Sequence, residues 1–142
     1  MAPLQKRALY SLFIGLILAV ALIVVFIMKG DVTSFDEDLG FRLIVYALWI
    51  SVPLVYLILV SPTLRKPRQV DERDKMILDR SAKIQLGAVI LSILAWVIVL
   101  TEVYWAQGQV PVVFLTLIII STLIVSTLTQ SLGILIGYWR EG

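Results

Sequence analysis

Long apolar runs separated by short polar breaks make up almost the whole chain. Ala8 to Met28 is free of charge, Leu39 to Val60 holds Arg42 near its start, Ile84 to Trp105 holds Glu102 near its end, and Val110 to Tyr138 is again uncharged. A helix rises about 1.5 Å per residue and the hydrocarbon core of a bilayer is about 30 Å thick, so about 20 apolar residues suffice to cross it. All four runs reach that length. None alternates polar and apolar positions as a barrel strand does. Hydrocarbon offers no water to a bare backbone, so each run is expected to be a membrane-spanning helix. Lys6 and Arg7 precede the first run as they would in a signal peptide. That run exceeds the usual apolar region of a signal, however, and Lys29-Gly30-Asp31 is not a small-x-small cleavage site, so it is read as a retained span.

The breaks predict how the helices are joined. Ser34-Phe35-Asp36-Glu37-Asp38 reads as a helix start with acids at the positive end of the dipole. Gly108 lies in the break between the third and fourth runs, and Pro111 follows close to the start of the fourth. Both connections are short, so runs one and two, and runs three and four, are expected to form antiparallel hairpins. The connection Ser61 to Lys83 is longer. Pro62 and Pro67 keep its first part extended. Asp71 then offers an N-cap, with Asp74 at the third helical position of a capping-box-like pattern. Asp71 with Lys75, and Asp79 with Lys83, are acid-before-base pairs four apart. Val70, Ile77, Ser81 and Ile84 share one helical face. The third helix is therefore expected to start near Asp71 and to run unbroken to Trp105. The predicted fold is an all-α integral membrane protein: a single domain forming a left-handed four-helix transmembrane bundle, with a cytoplasmic helical extension of the third helix.

Composition agrees and adds an orientation. Sixty per cent of the 142 residues are apolar and mean hydropathy is +0.98, too greasy for a water-exposed domain of this size. Ten of the twelve lysines and arginines lie in the N-terminal segment, the 61–83 connection and the C-terminus, leaving only Lys29 and Arg42 for the other side. The positive-inside rule makes the ten-residue side cytoplasmic, with both termini inside. Tyr104 with Trp105, and Tyr138 with Trp139, fall where interfacial aromatic belts belong. A net charge of +2 is too small to argue for nucleic acid. Cysteine and histidine are absent, which removes disulfides, thiol chemistry, zinc sites and histidine-ligated haem. No metal or cofactor is expected.

Asp71-Glu72-Arg73 opening the third helix, then Ile77 and the small Ser81-Ala82 before Ile84, in a four-span layout, resembles uncharacterised small membrane proteins of bacteria and archaea that carry an Asp-Glu-Arg motif between spans two and three. The resemblance covers the layout and about fifteen residues. It implies a multi-pass protein of a prokaryotic cytoplasmic membrane and brings no activity with it.

Three sets of residues could carry function. Asp71, Glu72, Arg73, Asp74 and Arg80 form either a cytoplasmic docking or phosphate-contacting site or a capped, solvated helix start, whose surface ion pairs contribute about 0–1 kcal/mol each. Arg42 and Glu102 each lie about one turn inside the outer edge, and either pair with one another or snorkel outward; Arg42 with Asp38 is an alternative pair. In the fourth run Thr122, Ser126, Gln130, Gly133 and Gly137 share one face, bordered by Thr129. That stripe is either a polar path or a packing face of small and hydroxylated residues. The first run has a matching small face at Ala8, Ser11, Gly15 and Ala19. Pro53 is expected to kink the second helix, with Ser51 satisfying a freed group. Trp49, Tyr56 and Trp96 could line a lipid or quinone site. No nucleophile–base pair and no phosphate-binding glycine loop is present, so an enzyme is not expected. The expected role is a membrane-embedded interaction or accessory subunit, in a homo-oligomer or a larger membrane complex. The alternative is a small oligomeric transporter or channel for a neutral or lipophilic solute. Small multidrug exporters share the layout but rely on a carboxylate in their first span, which this chain lacks.

Overall fold

The computed structural model describes residues 2–29, 35, 37–64 and 71–141, without the side chains of 52, 53, 55, 56, 59–64 and 141. Four long helices account for nearly all of it: α1 Pro3–Lys29, α2 Leu39–Leu64, α3 Glu72–Tyr104 and α4 Val113–Glu141. No strand occurs among the described residues. Ser34, Asp36, Pro67 and Val70, and the side chains of Pro53, Tyr56 and Pro62, lie outside them.

Helix ends follow local chemistry. Asp38 caps α2: its Oδ1 accepts from the Gly40 N–H at 2.8 Å. Lys29, at the end of α1, pairs with the same carboxylate at 3.1 Å and closes the first hairpin. Asp71 is the N-cap of α3, extended at φ −62° and ψ 153°, and accepts from Glu72 N at 2.8 Å. Gly108 stops the chain after α3. Its N–H bonds the Tyr104 carbonyl at 3.1 Å, and its φ of +64° is a left-handed conformation that a side chain would resist. The Pro111 carbonyl accepts from Phe114 N at 3.1 Å and opens α4.

The helices stand in the neighbour order α2, α1, α4, α3. Each of the three adjacent pairs has an extensive interface, the largest between α3 and α4. Among the described residues no comparable interface joins α2 to α3. α4 is the central element. Leu18 and Leu22 of α1 share one core with Ile120 and Ile124 of α4 while Ala8 shares another with Ile134, which places α1 and α4 antiparallel. At the hairpin end Phe26, Phe35 and Phe41 meet edge to face, with centroids 5.1 and 5.5 Å apart, and tie α2 to α1. At the end that carries both termini, Ala8, Ile77 and Ile134 form a second small core joining α1, α3 and α4.

Three helices, α1, α3 and α4, are long and apolar enough to cross a membrane. The fourth span expected from the sequence falls on α2, whose described apolar stretch is the shorter Leu39–Ser51. α3 carries its apolar surface outward, with Leu91 and Ile98 69% and 62% exposed, and α1 does the same with Ile17 and Ile27.

Candidate functional site at the α3–α4 contact

Small residues let α3 and α4 approach closely. A β-carbon added at Gly133 would lie 3.0 Å from Ser81 Cβ and 3.2 Å from Ser81 Cα; one added at Gly137 would lie 2.8 Å from Ile77 Cγ2. Ser81 and Ile77 are both almost fully buried. Ser81 satisfies its own hydroxyl on the Leu78 carbonyl at 2.8 Å, so it needs no partner on α4. Further along the contact, Gln85 Nε2 donates to Ser126 Oγ at 2.6 Å, and Trp96 Nε1 donates to Ser121 Oγ at 2.8 Å. At the terminal end Tyr138 Oη donates to Asp74 Oδ1, and the Arg73 guanidinium lies 5.7 Å from the Tyr138 ring centre. Asp74 is thus turned onto α4 and does not reach back to Asp71 as a capping box would.

Of the fourth-run stripe, Ser126, Gly133 and Gly137 therefore touch α3. Gln130 is half-buried. Thr122 Oγ1 is enclosed with no partner among the described residues. The matching face of α1 lies against α4: a β-carbon at Gly15 would meet Leu128 Cδ2 at 3.0 Å, and Ala8 and Ser11 are buried. Both small-residue faces are occupied within the chain.

The other residues singled out by sequence are dispersed. Asp71, Glu72, Arg73 and Arg80 are exposed. Neither Asp71 with Lys75 nor Asp79 with Lys83 closes into an ion pair among the described residues. Glu102 is exposed and Arg42 half-buried, with its Nε enclosed and without a partner among the described residues. No ion pair joins Arg42 to Glu102, and the Asp38 carboxylate is taken by Lys29 instead of Arg42. Lys29, then the Phe41 and Gly40 N–H groups, hold the Asp38 carboxyl below its ordinary value. Ser51 bonds the Leu48 carbonyl at 2.8 Å. Trp96 is half-buried and engaged with α4, whereas Trp49 is exposed.

Sequence reasoning missed Gln85, Tyr138 and Arg140. Gln85 stands one turn beyond Ser81 on the same face, which was the available signal. Beside the α3–α4 contact lies a groove of about 890 Å³. Arg80 and Arg140 line it toward the terminal end, and Ile84 and Leu132 line it toward the middle of the helices. Among the described residues no group of three or more His, Cys, Asp or Glu is placed to hold a metal. No protein-family model, curated protein or solved structure matches this chain.

Proposed function

We propose that the chain is a four-span integral protein of a prokaryotic cytoplasmic membrane, with both termini inside, and that it serves as a non-enzymatic interaction or accessory subunit. Three helices of spanning length and the largely apolar outer surface of α1 and α3 support the membrane reading. At about 1.5 Å per residue, the 33 residues of α3 exceed the roughly 30 Å hydrocarbon core by several turns. The surplus belongs at the charged Glu72–Lys83 end, on the cytoplasmic side.

The observation that carries the interaction reading is how this extension is held. Asp74, Ile77 and Ser81 fix one of its faces to α4. The opposite face presents Glu72, Lys75, Asp79 and Lys83, all exposed. A rigid helix with two acids and two bases on its free side suits a protein partner of mixed charge better than a nucleic acid. The transporter reading has less support, because Ser126 of the polar stripe is engaged by Gln85.

The test is native mass spectrometry of the full chain released in gentle detergent, beside a Lys75→Glu/Lys83→Glu variant. The reading expects a defined homo-oligomer or a stoichiometric protein partner that the variant loses. A strict monomer, with no protein cross-linking to a photoreactive side chain at position 79, refutes it.

A further inference from the structure

The groove between α3 and α4 has a polarity gradient along its length. Arg140 and Met76 line its terminal end, and Arg80 stands one turn further in. Neither arginine makes an ion pair with another described residue. Ile84 lies one helical turn beyond Arg80, and Leu132 two turns before Arg140, so the apolar half sits about 6–12 Å deeper along the helices. Gly137 keeps the floor between the two helices low.

We propose that this groove binds one anionic phospholipid of the cytoplasmic leaflet, its phosphate held by Arg80 and Arg140 and the start of an acyl chain lying along Ile84, Leu132 and Ile136. The inference rests on the membrane reading and orientation above and names a ligand for that same end of the molecule. Two arginines without a carboxylate partner among the described residues match a phosphate, which guanidinium groups bind in a forked geometry. A water-soluble anion would use only the arginine end and leave the apolar half bare. A phospholipid matches both, and basic pockets between spanning helices on the cytoplasmic side are where anionic headgroups bind. At about 890 Å³ the groove holds a headgroup and the upper part of a chain.

The experiment titrates the full chain, in zwitterionic detergent, with phosphatidylglycerol and separately with phosphatidylcholine, and reads bound lipid by native mass spectrometry. One tightly held phosphatidylglycerol is expected, with phosphatidylcholine weaker. Arg80→Gln/Arg140→Gln weakens phosphatidylglycerol about fivefold per arginine, the scale of one basic residue at an anionic surface. Lys75→Gln/Lys83→Gln removes the same charge outside the groove and leaves this binding unchanged. Leu132→Trp fills the apolar half, keeps both arginines, and weakens the lipid as well. Glycerol phosphate does not displace it. Equal lipid binding by the arginine and lysine variants overturns the proposal, and so does displacement by glycerol phosphate with Leu132→Trp silent, which makes the site one for a soluble anion. Alkaline carbonate extraction separates the two levels: release of the chain from membranes refutes the membrane reading, whereas a chain that stays embedded without phosphatidylglycerol preference refutes the lipid site alone.

Discussion

Adding one methyl group to Gly133 and one to Gly87 should move stability in opposite directions. Glycine in a helix interior is destabilising by roughly 0.5–1 kcal/mol relative to alanine, so propensity alone favours both substitutions. At Gly87 nothing lies within 4 Å of the new β-carbon. Gly87→Ala is therefore expected to gain that amount and nothing else. At Gly133 the new carbon would meet Ser81 Cβ at 3.0 Å and Ser81 Cα at 3.2 Å. The Cα is part of the α3 backbone, and no rotamer change moves it. Relief requires α3 to back away from α4 along the contact that also holds Ile77 against Gly137. Overpacking of this kind costs about 1–3 kcal/mol. The difference between the two variants cancels propensity, so Gly133→Ala should be less stable than Gly87→Ala by about 1–3 kcal/mol. Equilibrium unfolding of the full chain in mixed micelles titrated with a denaturing detergent, followed by far-ultraviolet circular dichroism, measures this. In the Gly133→Ala background, Ser81→Gly removes the nearer atom and should recover part of the loss, with a coupling of about 1 kcal/mol. If the two alanine variants agree within about 0.5 kcal/mol, the limit of additivity for uncoupled sites, the close approach is not what joins α3 to α4.

Ser126→Ala leaves the half-buried Gln85 amide without its partner and should cost about 1–3 kcal/mol, whereas Gln85→Leu/Ser126→Ala removes both groups and should be nearer neutral in the same unfolding assay. Asp38 titrates below its ordinary 3.8 in the folded chain, first through Lys29 and then through the Phe41 and Gly40 N–H groups. The unfolded chain therefore binds its proton first on acidification. The contribution of Asp38 is complete above about pH 4 and lost as pH falls through the folded value, so a thermal melt of Asp38→Asn should lack part of the acid-side decline of the wild type. The chain contains no cysteine, so single cysteines report topology on a clean background. Lys75→Cys should react with an impermeant maleimide only after the inner face is opened and Gln107→Cys from outside; labelling of both from one side refutes the third crossing.

Much of the secondary structure was legible because its signals are local. Asp71 needs only the next residue to act as a cap, and Gly108 only its own φ. The long apolar runs mark α1, α3 and α4 without reference to one another. Which helix neighbours which was not legible in the same way. In the expected setting both the core and the outer surface are apolar, so Ile120, fully buried, and Ile119, half-exposed beside it, look alike in the sequence. Pattern alone also makes Asp74 a helix-start residue; its hydrogen bond runs to Tyr138, 64 positions away. Arg80 was legible as part of the charged start of α3, but it meets Arg140 at one groove only because α3 and α4 are antiparallel. Gln85 stands where a span begins and reads as a boundary until Ser126 is seen opposite.

The neighbour order itself has a physical reading. Between helices in hydrocarbon, apolar area supplies little drive, because lipid tails are as apolar as leucine; close backbone approach and cross-helix hydrogen bonds do more. α4 is the helix equipped on two sides. Gly133, Gly137, Ser121 and Ser126 serve α3, while the other side receives Gly15 and the small face of α1. It is therefore the helix that takes two neighbours. α2 has no such face among its described side chains and is held at the edge of the row, mainly by Phe41 against Phe26 and Phe35 and by Asp38 against Lys29. A partner that relied on the glycine faces of α1 or α4 would have to pull the chain's own core apart. On the interaction reading proposed above, assembly would use surfaces outside those contacts, and the outer side of Glu72–Lys83 is polar, rigidly mounted and at the charged end of the molecule.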